Sequence, residues 1–250
     1  MKTTSILRSE KVSVEFAGFK AVNEVNFHLA ACQLHFLIGP NGAGKTTFLD
    51  VLCGKVKAKR GKVWYKENVE LTKKKEHQIA DLGISRKFQA PSIFPKLTVY
   101  ENLELAIQPR KGVWSSLFEK TNKDLQEKIQ HHLQLIELQS RAEQMAGALS
   151  HGEKQWLEIG MMLVQEPNVL LLDEPVAGMT DVETEKTGKL LKEITKKQSV
   201  IVVEHDMEFV RTFSEKVTVM HQGALLMEGT MQEVQEDERV AEVYLGQRAS

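Results

Sequence analysis

The chain has 250 residues, with 33 Lys and Arg against 34 Asp and Glu, a formal net charge of -1 and 42% hydrophobic residues. This is enough apolar material for a substantial core, and the near balance of charge excludes a nucleic-acid coat or a polybasic membrane anchor, which need a large positive excess. The longest aliphatic runs, Val169 to Leu172 and Val200 to Val203, stop at four residues, far short of the roughly 20 that cross a bilayer as a helix. Cys32 and Cys53 have no His or Cys neighbours at ligand spacing, so neither a disulfide framework nor a zinc site is indicated. Met1 to Glu10 lacks an apolar signal core, which predicts a protein that stays in a reducing cytoplasm.

In chain order, residues 11 to 38 read as short strands: Lys11 to Phe16 alternates, Gly18 marks a turn and Leu34 to Ile38 is a compact apolar run. Gly39 to Gly44 breaks the pattern, and Lys45 to Cys53 resumes with helical spacing. Gly61 to Tyr65 and Ile84 to Phe88 predict further strands. From Thr98 to about Leu138 helical spacing takes over, with Leu125, Ile129, Leu133 and Ile136 on one face. Ser150 opens another helix. Val169 to Asp173 and Val200 to Glu204 are buried-strand runs, with a helix from about Asp181 to Lys196 between them. Strand, helix and strand in that order predict an α/β fold with a parallel sheet. The basic stretches Lys55 to Lys62 and Lys73 to Lys75 read as solvated turns.

Gly39, Pro40, Asn41, Gly42, Ala43, Gly44, Lys45 and Thr46 fit the pattern of Gly, four residues and Gly-Lys-Thr, between a predicted strand and a predicted helix. Backbone N–H groups of such a turn, with the positive end of the following helix, form a concavity for phosphate oxygens. Lys45 supplies a cation for the β and γ phosphates, and Thr46 a hydroxyl for Mg²⁺. Further along, the aliphatic run at Val169 ends in Asp173 and Glu174, which predicts a carboxylate beside Mg²⁺ and a second that polarises water toward the γ phosphate. The other run ends in Glu204, His205 and Asp206, delivering a histidine to the same sheet edge, where it can sense the γ phosphate. A guanine reader would need Asn-Lys-x-Asp. The near match Asn122-Lys123-Asp124-Leu125 has Leu at its last position, which leaves a GTPase as a weak rival.

Leu149 to Gln155 reads LSHGEKQ, and with this block the chain resembles the ATP-binding cassette family over nearly its whole length. The family signature is LSGGQ, so Leu149, Ser150 and Gly152 agree while His151 and Glu153 depart; Ser150 and Glu153 also form a helix-capping pair. The resemblance implies a P-loop NTPase fold with a mostly parallel core sheet, an antiparallel N-terminal β-subdomain and a helical subdomain inserted at about residues 90 to 150. All 250 residues then form a single cassette. It implies ATP and Mg²⁺ as cofactors, with Thr47 joining Gly39 to Thr46 around the nucleotide. Phe16, expected on the second strand, matches the aromatic that stacks on adenine, with Phe19 a less favoured substitute. Gln89 matches the glutamine that joins metal and attacking water to the helical subdomain, so Thr46, Gln89 and Asp173 are the expected metal partners. Glu174 matches the catalytic base and His205 the switch histidine. Ala177 to Thr180 matches a loop that usually reads SALD, so Thr180 replaces its Asp.

In this family Ser150 and Gly152 of one cassette would meet ATP held by another, so a second cassette is expected, here a different chain. Two membrane permease subunits and an extracytoplasmic solute-binding protein complete the expected system, with this chain peripheral on the cytoplasmic face of the membrane and no nucleic-acid partner. The EHDMEFV block at residues 204 to 210 and the tail ending Val243 to Gly246 look like the importer branch for branched-chain amino acids, urea and short amides. LSHGEKQWLEIGMML and AGMTDVET look most like the ATP-binding subunit of a urea importer. Branched-chain amino acid or short-amide import is the alternative, and a soluble cassette acting on ribosomes or DNA, or a regulatory scaffold with little turnover, are the readings from other classes. Trp114 to Phe118 is an apolar patch that either touches a permease or covers its own helices.

Overall fold

The computed structural model describes residues 5–87, 93–107 and 122–245. Strands β1 (Ser5–Phe16) and β2 (Phe19–Ala30) form an antiparallel pair, each of 12 residues. They are longer than the short strands expected, and Lys11 supplies the reason. It sits at φ 46°, and the register with β2 shifts between Ser9 and Val12. This bulge inverts the alternation: Leu7 and Ser9 are buried before it and Val12 and Val14 after it, so the apolar period changes phase in mid-strand.

There follow β3 (Leu34–Ile38), α1 (Lys45–Leu52), β4 (Arg60–Tyr65), β5 (Val69–Glu70), α2 (Glu76–Asp81) and β6 (Ile84–Arg86), then α3 (Val99–Ile107) and α4 (Asn122–Leu135). After two short 3-10 turns come α5 (His151–Leu163), β7 (Val169–Asp173), α6 (Asp181–Ile194), β8 (Ser199–Val203) and α7 (Met207–Phe213). The chain then forms β9 (Lys216–His221), β10 (Ala224–Gly229), α8 (Met231–Glu236) and α9 (Glu238–Leu245). One antiparallel sheet has the order β2-β1-β4-β5. The other has the order β10-β9-β3-β8-β7-β6, parallel throughout except for the β9-β10 hairpin. The parallel strands β3 and β8 are buried along their whole length, which is why they read as unbroken aliphatic runs rather than alternating ones. Among the described residues no helix is long and apolar enough to cross a membrane.

The chain divides into two compact units. The first comprises Met1–Arg86, Asn168–Pro175 and Leu191–Ser250, and its core packs Leu7, Val22, Leu37, Phe48, Val169 and Ile201 together. The second comprises Lys87–Pro167 and Val176–Leu190. Ile129, Leu133 and Ile136 are buried there, as their spacing predicts, and Leu125 is half-buried. Trp156 of α5 donates from Nε1 to Thr187 Oγ1 of α6 at 2.9 Å.

One buried polar side chain of the first unit gives a pH dependence. His35 of β3 is fully buried, 4.7 Å from the Phe27 ring, with Nε2 2.7 Å from Thr218 Oγ1. The Thr218 hydroxyl donates to Glu228 Oε2 at 3.0 Å, so Nε2 carries the ring proton and Nδ1 is left without a hydrogen-bond partner. Burial, then the charges of Lys216 and His28, lower its pKa to about 3. The folded chain thus refuses a proton that the unfolded chain takes below about pH 6.5, and stability is lost as pH falls through that window. Going from pH 7 to pH 5 is expected to cost about 2 kcal/mol through this group. In chemical denaturation at the two pH values, His35→Gln is expected to show a correspondingly smaller difference than the parent.

Candidate functional site

The parallel register assembles the first unit's site. Leu37 of β3 aligns with Val203 of β8, and Val203 with Asp173 of β7, so three strands end level with one another. The glycine turn after Ile38, the acids at 173 and 174 and the turn at 204 to 206 therefore leave the sheet from one edge, where open parallel sheets bind ligands. The Glu174 N–H donates to the Val203 carbonyl at 2.9 Å, which ties two of the three exits directly.

Gly44 caps α1 at φ 98°, and a Cβ there would lie 2.2 Å from the Ala21 carbonyl oxygen of β2. The turn is braced further, since Ala43 N–H donates to the Pro40 carbonyl at 3.1 Å and Gly223 N–H to the Ala43 carbonyl at 3.0 Å. Gly42, by contrast, faces open space in which a Cβ would meet no protein atom, leaving room for a phosphate oxygen. Asn41 is exposed and Thr46 and Thr47 are half-buried at the start of α1. Lys45 folds back over the turn, donating from Nζ to the carbonyls of Gly39 at 2.7 Å and Pro40 at 3.0 Å. Burial lowers its pKa, while the carboxylates of Glu174 and Asp173 oppose that shift. The cation is thus held in the mouth of an anion cradle.

Asp173 carries the opposite charge. Burial raises its pKa, against the pull of the Arg86 guanidinium and a hydrogen bond with the Thr46 side chain. Arg86, at the end of β6, pairs with Asp50 of α1 and reaches Asp173 Oδ2 and the Thr46 carbonyl, both at 3.5 Å from Nη2. The Arg86 side chain is only 4% exposed. Among the described residues no cluster of three or more His, Cys, Asp or Glu exists that could hold a metal. The adjacent oxygens of Thr46 and Asp173 suit Mg²⁺, which takes few protein ligands and keeps waters and phosphate oxygens for the rest.

Glu174 is exposed and adopts φ 49°, an unusual backbone state for a residue with a Cβ and one that clusters at functional sites. His205 Nδ1 lies 3.5 Å from Glu174 Oε1. The acids flanking this histidine have local tasks. Buried Glu204 accepts from the N–H groups of His205 and Asp206, and Asp206 caps α7 by accepting from Glu208 and Phe209 at 3.0 Å. His205 and Asp206 are both exposed, and of the two it is His205 whose side chain reaches toward Glu174.

The second unit holds Ser150 and Gly152. Ser150 caps α5: its Oγ accepts from Glu153 N–H at 3.1 Å, and Glu153 Oε2 accepts from Ser150 N–H at 2.8 Å. The departing Glu153 carboxylate is therefore turned back onto the helix end rather than outward. The other departure, His151, places Nε2 3.0 Å from the Ala177 carbonyl. Thr180 caps α6 with Glu183 in the same reciprocal manner.

Phe16 ends the first strand, not the second, and pairs across the hairpin with Phe19. The two rings are 49% and 66% exposed, at the tip of the hairpin whose second strand supports Gly44 through Ala21. Gln89 and Trp114 to Phe118 lie outside the described residues. Arg86 was missed in the sequence because a single cation at a strand end carries no spacing signal; its role exists only once β6, β7 and α1 are adjacent. Arg86→Met is expected to destabilise the chain by about 3 kcal/mol, since it strands buried carboxylates. The midpoint of urea denaturation measures this, and an unchanged midpoint would refute the buried clamp.

A family model described as ABC transporter matches residues 22–177, and one described as branched-chain amino acid ATP-binding cassette transporter matches residues 224–250. The chain is 33% identical over 253 residues to a probable branched-chain amino acid transport ATP-binding protein LivG of Archaeoglobus fulgidus, covering 98% of this chain and 97% of the relative. It is 34% identical over 251 residues to a high-affinity branched-chain amino acid transport ATP-binding protein LivG of Salmonella typhimurium, covering 97% and 98%. A nucleotide-free ATP-binding cassette from an ABC transporter superposes with a TM-score of 0.84 at 30% identity, covering 96% of this chain and 98% of that one. The ADP conformation of an ABC-transporter cassette gives 0.86 at 30% identity, covering 98% and 100%. With cradle, strand-end acids and full-length likeness in agreement, this chain belongs to the ABC transporter family and is one of its ATP-binding cassettes, the ATPases of transporters.

Proposed function

We propose that this chain is the ATP-hydrolysing subunit of an importer for branched-chain amino acids. The observation that carries the solute is the family match at residues 224–250, a segment outside the residues 22–177 that the general ABC transporter model matches, together with relatives named for branched-chain amino acid transport over nearly the full length. The urea reading rests on likeness of internal blocks, and the named relatives favour the amino acid reading over it.

In this reading the whole chain works as one cassette. The backbone of Gly39 to Thr47 encloses the phosphates, Lys45 exchanges its two carbonyl partners for phosphate oxygens, and Phe16 offers its exposed ring to adenine. Thr46 and Asp173 hold Mg²⁺, with Gln89 as a third partner. When bound, the metal neutralises charge developing on the transferred phosphoryl group. Glu174 orients and polarises the attacking water, and His205, in reach of Glu174, reads whether a γ phosphate is present. Ser150 and Gly152 serve ATP on a second cassette, through the positive end of α5. Permease subunits, a different second cassette and an extracytoplasmic binding protein complete the system, with this chain peripheral on the cytoplasmic face of the membrane.

Two experiments test the reading. Lys45→Ala is expected to abolish binding of a fluorescent ATP analogue while circular dichroism remains that of the parent; retained affinity would defeat the cradle assignment. For the solute, removing the chain from its host is expected to abolish uptake of radiolabelled leucine and leave urea uptake intact. The reverse result would restore the urea reading.

A further inference from the structure

Two helix N-termini meet in the second unit, and one carboxylate serves both. Ser150-x-x-Glu153 caps α5 and Thr180-x-x-Glu183 caps α6, two copies of the same reciprocal device. Glu183 does more than cap its own helix. Its Oε2 accepts from the Thr180 N–H and hydroxyl, each at 3.0 Å, while its Oε1 accepts from the Ser150 hydroxyl at 3.2 Å. The carboxylate can lie this close to the start of α5 because Gly152 has no Cβ; one there would fall 2.4 Å from Oε1. Positive ends of two helices repel, and a shared anion between them offsets that repulsion.

The Ser150 hydroxyl has one proton. Its oxygen already accepts from Glu153 N–H, so the proton is committed to Glu183. The bond is not needed to cap α6, which Oε2 accomplishes alone. A second strap joins the same segments, because His151 Nε2 donates to the Ala177 carbonyl at 3.0 Å. The Glu183 backbone is fixed as well: its carbonyl accepts from the Thr187 hydroxyl at 2.9 Å, and Thr187 accepts from buried Trp156.

We propose that Glu183 is a positioning residue: it holds the loop Ala177 to Thr180 against the start of α5 and keeps the Ser150 proton until a nucleotide phosphate on a second cassette takes it. This rests on the two-cassette reading above and deepens it. It gives two of the three departures from the family pattern one task, since His151 and Thr180 are the groups through which the loop is tied. Hydrogen bonds from the Thr180 backbone and hydroxyl and from Ser150 lower the Glu183 pKa, keeping it a carboxylate.

The test uses the full chain carrying Glu174→Gln, alone and mixed with its cognate second cassette. Sedimentation follows ATP-dependent pairing, and a fluorescent ATP analogue reports nucleotide affinity of the single chain. Glu183→Ala is expected to raise the ATP concentration for half-maximal pairing about tenfold or more, the scale of one charge-assisted hydrogen bond, with single-chain affinity unchanged. Glu183→Gln can keep its oxygen on Thr180 and donate from its amide to Ser150. That frees the Ser150 proton, so pairing is expected at or below the parent's ATP concentration. Parent-like pairing by Glu183→Ala, or impairment of Glu183→Gln equal to that of Glu183→Ala, overturns the proposal. If Glu183→Ala does not fold, Glu183→Gln decides alone, and pairing that needs more ATP than the parent overturns it. A Glu174→Gln parent that pairs under neither condition defeats the two-cassette reading itself, and this inference falls with it.

Discussion

The level ending of β3, β8 and β7 is the constraint on which the nucleotide site depends. In a parallel sheet the side-chain period is two, so a one-residue slip of β7 against β8 would carry Asp173 to the opposite face. The aliphatic residues Val169 to Leu172 and Val200 to Val203 are buried on both faces, and this packing holds the register. Core packing and site geometry are thus set by the same residues. The exits of the three strands then differ only in local chemistry: a glycine turn after β3, a left-handed glutamate after β7 and a capped turn after β8.

Charge at this edge is arranged before any ligand arrives. Lys45 and Asp173 are both partly desolvated, and each is pushed toward its neutral form by burial. Neighbouring opposite charges resist that drift: Glu174 and Asp173 for the lysine, Arg86 for the aspartate. Arg86 spans α1 and β7 through Asp50 and Asp173, so the helix behind the phosphate turn and the strand bearing the metal acid are braced by one guanidinium. Residue 87, the next in the chain, pairs with Glu158 of α5 within the second unit, so successive cations serve the two units in turn.

The helical unit uses a different principle. Its site residues sit where helices begin, and their geometry follows from capping rather than sheet register. Ser150 was legible as a helix start because Ser followed by Glu three residues later is a local pattern. Thr180 and Glu183 carry the same pattern, yet their link to Ser150 was not legible, because it arises from two distant segments lying side by side. The long β1 was also misread. A bulge at Lys11 breaks the alternation that sequence reading relies on, and a change of phase looks like the end of a strand.

The sequence by itself determined the elements whose signals are local: the glycine turn with Lys45 and Thr46, the aliphatic runs ending in acids and histidine, the caps and the order of strands and helices. These follow from steric and hydrogen-bonding preferences within a few residues. Tertiary structure alone decided which residues face one another: Arg86 between Asp50 and Asp173, the Ala21 carbonyl against Gly44, His205 beside Glu174, and Glu183 on the helix that Ser150 begins. Each of these contacts joins residues distant in the chain. Their energies depend on burial and mutual distance, and those quantities come into existence only when the chain has packed.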